Sequence, residues 1–458
     1  MFKAPPSRFP LWVVGLTVSF SAILALYGGI RSFYYQSSFL APIAYTTDER
    51  PTAERFAQLL DTTSDQFLVG IHVFFDFLVS YYWGTLANPW LEGGDVLPVN
   101  YPPLAMIFMD FWALFPYKVA LAIYLPFMVL ALIAPVWLAL HRTRWSLQVI
   151  AVCVALLSGP AIASLDRGNT QGFIPILLFA FGVLALRGRW GWASLFLVIA
   201  ASLKLFPALL LFVLLAERKW RALGTSVLAL TVIHTLGFIL YPGNPRESFE
   251  TWFSYAFTFL SREDLNGFLE YNMSFVGGLA HWAMFLGVPS AASFLATYAT
   301  VIAFAVTAFT IWLVFLKRRL PLTVRLFAAF MTTTIVLPVA YPYTANWIIA
   351  AAALIFLGSA AELREQDPSK ILEQRQSFDW DFSRVLWSSL ALTSSLLLAF
   401  APVFIPGSME SGYRAGIASL LMPIAVLTAL TGMTITAWNG ASRKVTATPG
   451  PSSAAVVP

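Results

Sequence analysis

Charge is scarce in this chain. Only 11% of its 458 residues are Asp, Glu, Lys or Arg, against about 25% in an ordinary soluble domain. Cysteine is reduced to Cys153 alone. That excludes an intrachain disulfide, and its apolar surroundings mark it as a core position. There are four histidines, no His/Cys ligand cluster and no Gly-rich phosphate loop opening a helix, so neither metal nor cofactor is expected. The net charge of +5 would point to nucleic acid in a soluble protein. Here the basic residues stand in short clusters between apolar runs, and no nucleic-acid partner is expected.

What is abundant is apolar. Hydrophobic residues make up 59% of the chain, with 39 Phe and 16 Trp, and the mean hydropathy is +0.74. This is the composition of an integral membrane protein, with aromatics for helix packing and interfacial anchoring. Lys3 and Arg8 precede an apolar run over 11–30. The run is too long for a secretory core and lacks an A-x-A cleavage site, so it reads as an uncleaved first span with a cytoplasmic N-terminus.

The basic clusters set the remaining topology. They are Arg142/Arg144, Arg187/Arg189, Arg218/Lys219/Arg221, Lys317/Arg318/Arg319 and Arg443/Lys444, with Arg364, Lys370, Arg375 and Arg384 around a polar segment. Placing all of them inside requires paired crossings at 147–164 and 171–186, 190–203 and 205–217, 222–241 and 291–316, 322–340 and 345–360, and 383–405 and 415–437. Parity then makes 119–140 a span and leaves 102–116 as a helix in the outer leaflet. The expectation is an all-α polytopic fold of about 12 transmembrane helices with a large first extracytoplasmic loop containing juxtamembrane helices. The membrane domain covers 1–360, its first outer loop about 31–118; a cytoplasmic linker follows at 361–382, a C-terminal helix pair at 383–440 and a disordered tail at 441–458.

Polar chemistry collects on the outer side. Asp76 sits in an apolar run, and an ionisable group in a membrane segment costs roughly 2.5–3.5 kcal/mol, so it marks a candidate site. His72 and Ser80 flank it at helical spacing, Tyr81 and Tyr82 follow, and Tyr101-Pro102-Pro103-Leu104 re-enters apolar sequence. Asp166-Arg167-Gly168-Asn169-Thr170-Gln171 forms a polar turn between spans, and Lys204 stands at the apex of a short hairpin. Arg262 and Asn272 lie in a further outer loop, Tyr341 and Tyr343 in the last one. Structural readings stand beside the functional ones: Arg167 pairing with Asp166, Lys204 snorkelling to headgroups, the two late tyrosines forming an aromatic belt. Asp95 and Asp110 are expected to be inert to substitution.

The order of these segments carries a resemblance. D-F-x-x-S-Y-Y at Asp76 is followed by Y-P-P-L at Tyr101 and G-N-T-Q at Gly168. Then come K-x-x-P at Lys204, R-K-W-R at Arg218 and Y-N-M-S-F at Tyr271. The chain resembles the GT-C superfamily of membrane glycosyltransferases, and more narrowly the bacterial polyprenol-phosphate-mannose-dependent α-mannosyltransferases of the phosphatidylinositol mannoside type. The likeness runs over about residues 70–350. It implies a catalytic aspartate in the first extracytoplasmic loop, carried onto Asp76, and a sugar donor linked to polyprenyl phosphate. Lys204, Arg167 and Arg262 are the expected phosphate ligands. His72, Tyr81, Tyr82, Tyr101, Asp166, Asn169, Gln171, Asn272, Tyr341 and Tyr343 are the expected substrate contacts. Two departures stand out: the usual G-Q-x-N order appears as Gly168-Asn169-Thr170-Gln171, and the late turn lacks the histidine that commonly follows S-P-x-S-W.

The implied chemistry suits the residues. Glycosyl transfer needs a base for the acceptor hydroxyl, worth about 10²–10⁴-fold, and cations for the departing phosphate. Phosphate is already a good leaving group, so one carboxylate suffices and direct attack inverts the anomeric centre. The expected partners are a polyprenyl-phosphate sugar, a lipid or glycan acceptor and membrane lipids. The expected location is a bacterial plasma membrane, with the site facing outward. A secondary transporter or lipid flippase is the rival, drawn from breaks at Pro160, Pro175 and Pro207 and from Lys204. The absence of an internal repeat and the large amphipathic first loop weigh against it.

Overall fold

The computed structural model describes residues 74–93, 99–141, 145–262, 286–316, 322–336 and 342–362, together with 274, 276–277, 279–280 and 283. The first span, His72, Asp95, Asn272, Tyr341, the linker, the C-terminal helix pair and the tail lie outside the described residues. For Asp166 and Arg262 only the backbone is described.

Within those residues all regular secondary structure is helical. Helix α1 (Phe75–Trp83) starts from Phe74, which takes a left-handed conformation at φ 59°, and stops at Gly84. A single turn at Pro89–Glu92 is capped by the Asn88 side chain, which accepts from the Trp90 and Leu91 amides, with proline at its first position. The Glu92 carboxylate reaches back to the Asn88 amide at 3.1 Å. Helix α2 (Pro103–Ala113) also opens on proline. Its 11 residues span roughly 16 Å, too short to cross a bilayer.

Helix α3 (Tyr117–Leu140) follows, then α4 (Trp145–Leu157) and α5 (Gly159–Arg167). The run expected as one span over 147–164 is therefore two helices. Pro160 has no amide hydrogen to continue α4, and Ser158, in extended backbone, turns its hydroxyl onto the Ala155 carbonyl. Helix α6 (Ile174–Leu186) and α7 (Trp190–Leu203) form the next hairpin. A 3-10 turn at Phe206–Leu210 leads to α8 (Leu211–Ala216), α9 (Trp220–Leu240) and α10 (Pro245–Arg262). After the break come α11 (Pro289–Thr297), α12 (Ala299–Leu316), α13 (Leu322–Val336), a 3-10 turn at Pro342–Asn346 and α14 (Trp347–Glu362).

The core is a helix bundle. Helix α6 packs on α7 and α14, while α14 also packs on α3 and α13, and α7 packs on α9. Leu178, Phe181, Leu197, Phe330, Trp347 and Leu354 are buried where these helices meet. Helix α2 lies against α9 so closely that a Cβ on Gly237 would stand 2.3 Å from the Pro103 side chain. On α13 the Arg325 guanidinium pairs with Glu217 at the end of α8. Helices α3 and α9 are long and apolar enough to cross a membrane by length and composition. Phe127, Leu130 and Leu138 of α3, Leu228 and Leu236 of α9 and Phe309 of α12 are exposed.

Candidate active site

Asp76 lies in the first turn of α1, and the polar turn after α5 is what meets it. Helix α5 ends at Gly168, whose φ of 63° is left-handed, the usual glycine stop. The stop is also a close approach, because a Cβ on Gly168 would stand 2.7 Å from the Phe77 Cβ. The next residue, Asn169, caps the 3-10 turn Thr170–Phe173 by accepting from the Gln171 amide at 2.9 Å. That bond fixes which way the amide faces, leaving its NH2 group outward. Asn169 Nδ2 therefore donates to Asp76 Oδ2 at 2.7 Å. The second carboxylate oxygen, Oδ1, faces Arg167 Nη1 at 3.8 Å. The Arg167 and Asp76 side chains are 24% and 19% exposed, shielded from bulk water yet open to a ligand.

The surroundings hold this arrangement rigid. Tyr124 of α3 donates to the Gly168 carbonyl at 3.1 Å, and Asn169, Thr170 and Gln171 are all buried. The Phe77 ring packs at a tilt of 41° against Tyr124, with ring centroids 4.5 Å apart. The Tyr124 hydroxyl is within electrostatic range of both Asp76 and Tyr101. Tyr101 forms the neighbouring wall: its carbonyl accepts from Trp90 Nε1 at 3.2 Å, and the Lys204 ammonium sits 3.7 Å from its ring centroid. Lys204 takes extended backbone at the end of α7 and makes no ion pair among the described residues. A half-buried cation held by an aromatic face is available to an anion.

Of the residues expected at the site, the structure thus gathers Asp76, Arg167, Asn169 and Gln171 at one turn, with Tyr101 and Lys204 as a second contact pair. Tyr81 and Tyr82 are elsewhere engaged. Both are buried, and the Tyr81 hydroxyl donates to the Phe115 carbonyl at 2.7 Å. Burial, with Glu92 adding to it, raises the Tyr82 phenol above its ordinary value. Tyr343 is half-buried at the turn before α14. Asp110, whose substitution is expected to cost little turnover, accepts from the Tyr241 hydroxyl at 2.5 Å and joins α2 to the end of α9. Burial pushes its carboxyl up to about 6, with the Tyr241 bond acting in the opposite sense.

A half-buried carboxylate oriented by a fixed amide, with a guanidinium close by, suits a glycosyl-transfer site. The sequence pattern of glycosyltransferase family 87 matches residues 100–342, over half of the chain. The chain belongs to glycosyltransferase family 87. No curated relative matches it. The family and the apolar helices together suggest a membrane protein. Asp76 lies upstream of the matched residues, whereas Arg167, Asn169, Gln171, Lys204 and Tyr101 fall within them. Among the described residues of this family 87 chain, no three His, Cys, Asp or Glu side chains gather as a metal site would need. Sequence reasoning left Asn346 and Trp347 unassigned. Both are buried, and both hydrogen-bond into the segment around the Gly168 turn. Nothing in local composition marks a buried Asn-Trp pair as belonging to that turn.

Proposed function

We propose that this family 87 protein transfers a hexose, best read as mannose, from polyprenyl phosphate to a lipid-linked or envelope-glycan acceptor on the extracytoplasmic side of a plasma membrane. Asp76 acts as general base and takes the acceptor hydroxyl proton. The acceptor oxygen attacks the anomeric carbon from the face opposite the phosphate, the C1–O bond to phosphate breaks, and configuration inverts. Lys204 and Arg167, with Arg262, carry the charge left on the departing phosphate. The observation that carries this reading is the 2.7 Å bond from Asn169 Nδ2 to Asp76. It leaves the carboxylate aligned with a guanidinium on its other oxygen.

Two further features support a lipid-borne donor. The exposed Phe127, Leu228, Leu236 and Phe309 form the kind of apolar surface that hydrocarbon covers. Between α9, α10 and the Phe206–Leu210 turn runs an apolar groove of about 620 Å³, lined by Leu205, Ala208, His234, Phe238, Phe249 and Trp252. That volume is within the usual range of ligand sites, roughly 300–1,000 Å³. Leu205 follows Lys204 directly, so an apolar chain in the groove starts close to the cation that meets its phosphate.

The flippase reading draws on the interrupted helices at Pro160 and Pro207. Purified protein in liposomes, supplied with polyprenyl-phosphate mannose and a mannoside-bearing lipid, separates the two. Release of polyprenyl phosphate with a new glycosidic bond supports transfer. Passage of intact donor across the bilayer without bond cleavage sinks it.

A further inference from the structure

The turn that orients Asp76 is gripped by a segment far away in sequence. Asn346, at the end of the 3-10 turn before α14, donates its Nδ2 to Ser164 Oγ, a separation of 182 residues. Both side chains are 0% exposed. One residue on, Trp347 Nε1 donates to Gln171 Oε1 at 3.4 Å, a long contact that is the weaker of the two. Ser164 is itself part of the glycine stop, because its carbonyl accepts the Asn169 amide at 3.1 Å. Gln171 is the residue whose amide locks the Asn169 side chain. The late turn thus holds both ends of the segment from which Asn169 reaches Asp76.

We infer that Asn346 is a positioning residue for Asp76, acting through Ser164 and the Gly168–Gln171 turn, with Trp347 bracing Gln171. The direction of its effect follows from the packing. Gly168 already touches Phe77, so the turn has no room to move toward α1. Any slack released at Ser164 is taken up away from α1, which lengthens the Asn169–Asp76 bond. A buried hydrogen bond that serves only to hold the bundle together would lower stability without touching turnover in this selective way.

This inference rests on Asp76 being the base proposed above. Asn346→Ala, Ser164→Ala and Asn169→Ala, singly and combined, are measured in lipid nanodiscs with polyprenyl-phosphate mannose for kcat and donor KM. Hydrogen–deuterium exchange over 160–173 is followed alongside. Asn346→Ala and Ser164→Ala should each lower kcat about tenfold, leave donor KM within about twofold and speed exchange at 168–171. In the Asn169→Ala background either change should add less than about twofold. Losses that multiply with Asn169→Ala, or wild-type kcat with normal exchange in both single variants, would overturn the inference. Ser164→Ala, a small deletion, keeps the test open should Asn346→Ala fold poorly. The exchange readout does not depend on turnover, so it separates failure of the Asn346 link from failure of Asp76 as base.

Discussion

Gly168→Ala tests the site through its tightest contact. The substitution has two costs. Holding an alanine at φ 63° costs roughly 1–2 kcal/mol. The added Cβ also falls 2.7 Å from Phe77 Cβ, where carbon atoms settle at about 3.5–4.0 Å. The turn and α1 must therefore separate by roughly 1 Å, which carries the Asn169–Asp76 bond, now 2.7 Å, past the ordinary limit of about 3.2 Å. Misplacement on that scale costs catalysis about 10²-fold. Gly188→Ala is the matched control. Gly188 has the same left-handed backbone, at φ 72°, but nothing lies within 4 Å of the Cβ it would gain. Both variants should lose thermal stability, and only Gly168→Ala should lose turnover, measured as polyprenyl phosphate released per enzyme in nanodiscs. Equal turnover in the two variants would refute the claim that this contact sets the position of Asp76.

Lys204→Ala should raise donor KM about tenfold or more while leaving the fold intact, and Lys204→Arg should recover part of the affinity because charge survives while geometry changes; an unchanged KM in Lys204→Ala would reduce the lysine to a headgroup anchor. Asp110 carries a pH signature. Its folded carboxyl, up at about 6, lies above its unfolded value, so the stability it contributes is fully present below the unfolded value near 3.9 and is lost as pH rises through about 6. Asp110→Asn should accordingly flatten the fall in melting temperature between about pH 4 and pH 6.5, and a variant that keeps the wild-type slope would contradict this origin.

Among the described residues, helix positions were legible at several apolar runs bounded by basic clusters. The expected span at 119–140 is α3 at Tyr117–Leu140, and the short hairpin beginning at 190–203 is α7 at Trp190–Leu203. The division at Ser158 was not anticipated, since Gly159-Pro160 sits inside a continuous apolar run and hydropathy does not register a missing amide hydrogen. The polar turn at Gly168–Gln171 stood out as a cluster, but its partner did not. Asn169 and Asp76 are 93 residues apart, and only the packing of α5 on α1 brings them together. Tyr81 and Tyr82 show the converse problem. An aromatic pair beside a carboxylate reads as a substrate contact, whereas here both side chains are buried and Tyr81 packs against Phe77 and Tyr117. Asp110 read as a loose outer charge because Tyr241, its hydrogen-bond partner, lies 131 residues away.

Asp76 is the proposed acceptor of the acceptor hydroxyl proton. Asp76→Asn keeps the shape of the side chain and deletes the proton acceptor, so single-turnover transfer from polyprenyl-phosphate mannose, measured beside donor binding, tests it most directly. The rate should fall by about 10²-fold or more with donor affinity little changed, because the phosphate is met by Lys204 and Arg167. A folded Asp76→Asn protein that transfers sugar at near the wild-type rate would contradict it.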